Sequence, residues 1–382
     1  MQITGDWLTD PAAQAVLQML EQAGHQAFVV GGCVRNALAG LPVADVDITT
    51  DAWPKQVSSL AQSAGFDAVP TGIDHGTVTV VANGTGFEIT TFRKDIETDG
   101  RRAVIAFADR LEIDAHRRDF TMNALYADRQ GYVTDPVGGV ADLSAGRVRF
   151  IDRAEDRIHE DYLRILRFFR FQAWFGDPAS GIDADTLAAC AKLADGIELL
   201  SKERIGAEMR KLLAPPDPAP SVAAMAASGV LLRVLPGATA PALAVLVHLE
   251  KGSGQAPSWQ RRLACLGGEG VVTALRLSRA EARYQAILRG ALADGIDHPE
   301  LAYRHGAEAG RDLVLLRAAV MTAPLPQDWQ ESVEFAARQI FPLRATDITT
   351  GETGPALGER LKRAEARWIA SGFSLSKEAL LD

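Results

Sequence analysis

Apolar and polar positions follow two rhythms along this chain, and the switch between them divides it. Up to residue 150, short runs of period two alternate with stretches of helical period. Asp10 to Ala23, with Pro11 at the first helical position, predicts a capped amphipathic helix. Ala27 to Val30 reads as a short apolar strand, Gly31-Gly32 as a turn, and Val34 to Ala39 as the opening of a helix. Asp45-Val46-Asp47-Ile48-Thr49 reads as a further strand, and another helix starts around Pro54. Gly76 to Val81 and Phe87 to Phe92 are β-rich runs joined by Asn83-Gly84-Thr85-Gly86, a hairpin signal. A mixed-sheet head follows from these elements.

Beyond residue 153 strand signals nearly vanish. Helical periodicity runs through Asp161–Trp174, Ala184–Leu193 and Lys202–Leu213. The proline-rich stretches 214–220 and 323–326 mark boundaries. The expected fold class is α+β, with a head over 1–150 and an all-α neck over 151–214, body over 215–325 and tail over 326–382.

Composition narrows the classes. A chain of 382 residues, 47% hydrophobic and 23% charged, holds more than one core and is not disordered. A net charge of −9 argues against a uniformly basic nucleic-acid binder, although local distribution decides that question. Three widely spaced cysteines, Cys33, Cys190 and Cys265, fit a reducing cytosol better than a disulfide scaffold or a zinc site. The first residues lack a basic and apolar leader, and no stretch approaches ~20 uninterrupted apolar residues. A cytoplasmic protein with no membrane contact is expected; no protein partner is indicated.

The candidate chemistry starts at Asp45 and Asp47. Side chains alternate along a strand, so two aspartates two apart share a face. Carboxylate pairs of this kind hold hard divalent cations, and two ions ~3.5–4 Å apart activate a hydroxyl and stabilise a leaving pyrophosphate. Glu88 is the candidate third carboxylate, because Phe87 and Ile89 would face a core. An isolated Asp-x-Asp is also the ordinary solvated end of a strand. Gly31-Gly32-Cys33-Val34-Arg35 places glycines between strand and helix, where backbone N–H groups can meet phosphate oxygens and Arg35 can pair with them. The same segment could be a plain connection. Arg117-Arg118-Asp119 offers two guanidinium groups for a triphosphate or ribose, with Asp119 to orient them; it could equally open a helix, with Asp119 or Thr121 as cap.

The segment Glu160 to Phe171 predicts one helix in which Asp161 and Arg164 share a face and Arg167 and Arg170 extend the row. An i, i+3 salt bridge on a wet surface is one account. Base recognition is the other. A carboxylate accepts from an exocyclic amino group and a guanidinium donates to a ring acceptor, so such a pair could take cytosine or adenine and reject uracil or guanine.

These motifs, in this order, resemble the class II tRNA nucleotidyltransferase (CCA-adding enzyme) and bacterial poly(A) polymerase family. The resemblance rests on Gly31 to Arg35, Asp45-Val46-Asp47, Glu88 to Arg93, Asp99-Gly100-Arg101-Arg102, Arg117 to Thr121, Asp135 to Gly139 and Glu160 to Arg164. It weakens through Ser201 to Ile205 and ends near residue 213, apart from a Gly-rich segment over 353–358. It implies a polymerase-β-like nucleotidyltransferase head and template-free addition of CCA to tRNA from CTP and ATP. Asp45 and Asp47 would hold Mg²⁺ with Glu88 beside them. Gly31, Gly32 and Arg35 would take the triphosphate, and Asp161 and Arg164 would serve as a protein template. Arg117, Arg118, Asp119, Arg167 and Arg170 would complete the nucleotide site, and Asp99, Arg101 and Arg102 would form a flexible loop for the switch from C to A. Asn36 departs from the family, which often carries Asp there.

Basic residues from Arg93 to Arg157 concentrate in head and neck. Arg360, Lys362, Arg363 and Arg367 gather on one tail helix after Gly358, either as a solvated face or as a tRNA contact. Poly(A) addition, CC-only or A-only addition, and a non-catalytic RNA-binding module are the competing readings.

Overall fold

The computed structural model describes residues 1–99, 102–348 and 354–381. Arg101 of the expected loop lies outside them, as do the side chains of Asp99 and Arg102. The chain forms two compact units, Met1–Leu212 with Pro220–Val234, and Leu213–Ala219 with Leu235–Asp382.

The first unit is built on a seven-stranded mixed sheet ordered β3-β4-β5-β2-β1-β8-β9. The strands are β1 (Ala27–Val30), β2 (Asp47–Thr50), β3 (Asp67–Gly72), β4 (Thr77–Ala82), β5 (Thr85–Thr91), β8 (Tyr126–Ala127) and β9 (Val133–Thr134). β2 and β5 run parallel, with Asp47 opposite Glu88 and Ile48 opposite Ile89. β1 lies antiparallel to β2 on the other side, pairing Val29 with Ile48. β4 and β5 close at Asn83-Gly84, both at positive φ (51° and 80°), the backbone that a two-residue hairpin needs.

Strand alternation sorts the two faces. Val29, Ile48, Ile89, Val78 and Val80 sink into one core with helices Pro11–Gln22 and Pro54–Ser63. Burying a side chain the size of Ile48 or Ile89 contributes about 2 kcal/mol. Asp10 caps the first of these helices by accepting from the Ala12 and Ala13 N–H groups. On the opposite face Val30, Phe92 and Tyr126 pack with Leu111, Ala115 and Ile151. Asp47 and Glu88 stand out from this second face, exposed.

Two local expectations change. Asp45 and Val46 precede β2 and are not part of it, so strand alternation does not fix Asp45. A further hairpin, β6 (Arg93–Asp99) and β7 (Arg102–Phe107), forms its own two-stranded sheet where the charged sequence gave little strand signal.

The helices that follow the head belong to the same unit. Helix Leu163–Phe175 is fixed to it by an aromatic cluster, Phe120, Phe150, Phe168 and Phe171, with ring centroids 4.6 Å (Phe120–Phe150) to 6.4 Å (Phe120–Phe168) apart.

The second unit carries helices and no strand among its described residues, apart from an isolated antiparallel bridge between Ala238 and Gly267. At its centre Arg261 and Arg262, both buried, share Glu250, and Arg261 also holds Asp312 at 2.7 Å. Arg262 donates to the carbonyls of Leu213, Pro215 and Pro216, which prolines cannot satisfy by continuing a helix. Among the described residues no helix is long and apolar enough to cross a membrane.

Candidate active site

Gly31 ends β1 at φ +75°, where a side chain would be strained. A Cβ there would stand 3.4 Å from Arg118 Nη1 and 3.5 Å from the Asn123 carbonyl, ordinary contact distances, so it is the backbone and not the space that asks for glycine, and the turn lies directly against Arg118. Helix Gly32–Leu38 starts at once and carries Arg35. Among the described residues Arg35 donates to side-chain amide oxygens alone, Asn123 Oδ1 at 2.5 Å and Asn36 Oδ1 at 2.8 Å, and its guanidinium lies over the rings of Phe171 (5.0 Å) and Phe175 (4.5 Å). Burial, together with the charges of Arg170 and Arg167, pushes Arg35 down to about 10. Asn36 thus accepts from Arg35 without cancelling its charge.

The Arg-Arg-Asp segment does not open a helix. Arg117 caps the C-terminus of helix Leu111–His116, and Thr121–Asn123 is a single 3₁₀ turn. Nor does Asp119 orient the two arginines. That falls to Asp114, fully buried at the end of the helix. Its carboxylate accepts from Arg117 Nε (2.7 Å), Arg118 Nη2 (3.0 Å) and the Tyr126 hydroxyl (2.9 Å). Burial would raise the Asp114 carboxyl, but Arg118 and Arg117 outweigh it and hold the group at about 2. Asp119 instead binds Arg167 (Nε 2.6 Å) and the Asn123 amide (2.9 Å), and is likewise held at about 2. Arg117 also lines an open cavity of about 430 Å³ with Lys94, His116, Arg157 and Glu160.

Asp47 faces Glu88 across the parallel β2–β5 pair. Partial desolvation raises the Asp47 carboxyl above its ordinary value, the charges of Glu88 and Asp45 add to the rise, and Arg118 opposes it. Three carboxylates whose charges repel in this way match a hard divalent cation in donor chemistry. Among the described residues no three such side chains already converge as a metal cage, so the fit is one of donor type and strand register. Cys33 lies beside Asp47; burial and then that charge push its thiol up to about 11, which rules it out as a nucleophile at neutral pH.

The expected helix over Glu160 to Phe171 is broken. Helix Ala154–Glu160 stops at Asp161, whose backbone is extended (φ −156°, ψ 107°), and the next helix is Leu163–Phe175. Asp161 and Arg164 therefore do not share one helix, and no salt bridge joins them. Each of the four charges Asp161, Arg164, Arg167 and Arg170 has a carboxylate or guanidinium partner elsewhere, with Glu160 shared between Arg157 and Arg164. Asp161 meets Arg204 (2.7 Å), Arg164 meets Glu160, Arg167 meets Asp119, and Arg170 meets Glu208 (3.2 Å). Arg164 also donates to the carbonyls of Arg157 (2.9 Å) and Arg117 (3.1 Å). The guanidinium groups of Arg35, Arg167 and Arg170 surround the Phe171 ring at 5.0, 5.4 and 4.3 Å.

Known proteins share this fold. A family model described as the poly A polymerase head domain matches residues 27–149, and one described as a probable RNA and SrmB-binding site of polymerase A matches 181–240. The solved Bacillus stearothermophilus CCA-adding enzyme in complex with CTP is 30% identical, with a TM-score of 0.73 over 96% of this chain and 94% of that one. This chain belongs to the class II CCA-adding enzyme family. Among curated members, a Leuconostoc mesenteroides CCA-adding enzyme is 44% identical over 203 residues, 53% of this chain and 49% of that protein. The mouse mitochondrial CCA tRNA nucleotidyltransferase 1 is 40% identical over 201 residues, 52% of this chain and 46% of that protein. The chain spans about half the length of the curated relatives it matches. The Thermotoga maritima enzyme complexed with tRNA shares the fold at 18% identity and a TM-score of 0.68 over 100% of this chain and 98% of that one. Membership in this nucleotidyltransferase family implies divalent-metal use.

Within this CCA-adding family member, the sequence reading missed Asp114, Asn123, Tyr126, Arg204 and Glu208. Asp114 stands three and four residues before Arg117 and Arg118, a helical spacing that could have revealed it. The tail cluster lies in the second unit, on helix Pro355–Ala370, which begins before Gly358 and contains it. Arg360 and Arg367 donate to the carbonyls of Leu381 and Ala379, and Lys362 pairs with Glu359.

Proposed function

We propose that this chain adds C, C and A to the 3′ end of tRNA from CTP and ATP, without a nucleic-acid template and with release of pyrophosphate. The observation that carries the reading is the register of Asp47 against Glu88 beside Arg118 and the Gly31 turn. Asp45 and Asp47, with Glu88, would hold Mg²⁺, which when bound supplies activation of the tRNA 3′-hydroxyl and neutralisation of the leaving pyrophosphate. The N–H groups after Gly31 and Gly32 and the guanidinium of Arg118 take the triphosphate. Arg35, Arg167 and Arg170 add a desolvated positive field in which only Arg35 lacks a carboxylate partner among the described residues. Asp161 accepts from the amino group of cytosine or adenine, and Arg164 donates to the neighbouring acceptor; uracil and guanine present an oxygen to the carboxylate instead.

The partition into head (1–150), neck (151–214), body (215–325) and tail (326–382) assigns chemistry to the first and base choice to the second. Asp99 to Arg102 serves the change from C to A. Exposed Lys362 and Arg363 are the tail groups with most freedom to meet tRNA phosphates, since Arg360 and Arg367 already brace the last helix. A cytoplasmic location belongs to the same reading.

Purified protein with Mg²⁺, given tRNA lacking three, two or one 3′ nucleotides and one NTP at a time, should add C, then C, then A, and stop. Long A tails on unrelated RNA would make it a poly(A) polymerase. Addition of only C or only A would make it a split enzyme, and no addition would leave an RNA-binding module.

A further inference from the structure

We infer that the cavity lined by Lys94, Arg117 and Arg157 is a second phosphate site, apart from that of the triphosphate, for a phosphate group carried by the RNA substrate or free in solution. An RNA source rests on the proposed tRNA activity; the site itself does not.

The two neighbouring arginines part at Asp114. Arg118 donates to Oδ2 at 3.0 Å and lies against the Gly31 turn. Arg117 donates through Nε to Oδ1 at 2.7 Å and lines the cavity instead. One buried carboxylate thus sends adjacent guanidinium groups to two different spaces.

Positive charge is left over around the second space. Among the described residues Asp114 is the carboxylate paired with both Arg117 and Arg118, and Glu160 the one paired with both Arg157 and Arg164. Two carboxylates therefore serve four guanidinium groups. The remaining acids of the wall are engaged one to one, Glu112 with Arg110 at 3.3 Å and Asp152 with His116 at 3.0 Å. Lys94 is exposed and has no carboxylate partner among the described residues.

Unused donors agree with the charge. Arg157 gives Nη1 to the His116 carbonyl at 2.7 Å and Nη2 to Glu160. Its buried Nε meets no acceptor among the described residues, an unfavourable state that a ligand oxygen in the cavity would relieve. The terminal nitrogens of Arg117 likewise have no hydrogen-bond partner among the described residues. Guanidinium N–H groups and an ammonium around one space match the several acceptor oxygens of a phosphate. The volume, about 430 Å³, leaves room for a sugar beside it.

The test uses binding assays on the full chain, which need no turnover: tRNA lacking its last three nucleotides across a salt series, CTP, and inorganic phosphate. Lys94→Met should weaken tRNA at least ~3-fold and make the slope of log Kd against log salt shallower by about one. Lys94→Glu should weaken it further. Both variants should leave CTP within ~2-fold and the melting temperature unchanged, because the side chain is exposed and unpaired. Unchanged tRNA binding with a loss of at least ~5-fold for inorganic phosphate assigns the site to a free phosphate and supports it equally. Two results overturn the inference: tRNA and phosphate binding both indifferent to either substitution, or CTP weakened as much as tRNA, which makes the cavity part of the triphosphate site. A parent chain that binds but transfers no nucleotide would refute the CCA-adding reading and leave the phosphate arm standing.

Discussion

Asp47→Asn is expected to slow nucleotide transfer at least about a thousandfold, roughly 4 kcal/mol of transition-state stabilisation, while tRNA binding stays within ~3-fold. The substitution keeps the shape of the side chain and removes one negative charge from the group Asp45, Asp47 and Glu88. Asp47 is the member fixed by strand pairing, directly opposite Glu88, so its loss cannot be covered by Asp45 from outside the strand. Stability should move the other way. A carboxyl raised in the folded state binds its proton more readily folded than unfolded, so its charge costs stability at neutral pH. The variant should therefore melt at the same temperature as the parent or higher. Single-turnover transfer with CTP, tRNA gel shift and a thermal melt check all three; transfer within tenfold of the parent would remove Asp47 from the chemistry.

Asp114→Ala is expected to cost about 3–5 kcal/mol of stability, read as a lower denaturant midpoint. The carboxylate is wholly buried and compensates two guanidinium groups, so its removal strands both. Activity should fall as well, because Arg118 would no longer be held beside the Gly31 turn. The same group predicts an acid limb. Asp114 and Asp119 are each held at about 2 against an ordinary 3.8. A depressed carboxyl contributes stability above its unfolded value and loses it as pH falls through the folded one, here from about 4 down to about 2. Each contributes about 2 kcal/mol by this linkage. Stability of the parent should drop across that window, and Asp114→Asn should flatten the slope; an unchanged slope would contradict the assignment.

The elements that positioned this site were legible where local chemistry decides. Pro11 behind Asp10, the Gly31-Gly32 turn and Asn83-Gly84 each force one backbone, and all three hold. The strand phase of Glu88 was legible from Phe87 and Ile89, both buried. Asp45 was not, because a strand needs partners. β1 lies antiparallel to β2 and turns away at Gly31, leaving Val46 and Asp45 nothing to pair with on that side. The break at Asp161 was hidden for a different reason. The periodicity runs through it without glycine or proline, and the interruption comes from an aspartate that offers its side chain to the Leu163 N–H and to a distant arginine. Arg167 and Arg170 read as a phosphate row in sequence; their carboxylates, Asp119 and Glu208, lie 48 and 38 residues away. Long-range ion pairs of this kind leave no periodic trace.

The central claim is a division of labour: carboxylates on the head sheet carry the transfer, and charges at the 154–175 helices choose the nucleotide. Measuring kcat/KM for CTP and UTP with Arg164→Ala, at saturating Mg²⁺ and on tRNA lacking its last three nucleotides, tests it most directly. The predicted result is a fall in CTP preference of at least ~10-fold with metal dependence unchanged. An Arg164→Ala enzyme that still rejects UTP as well as the parent would contradict the division.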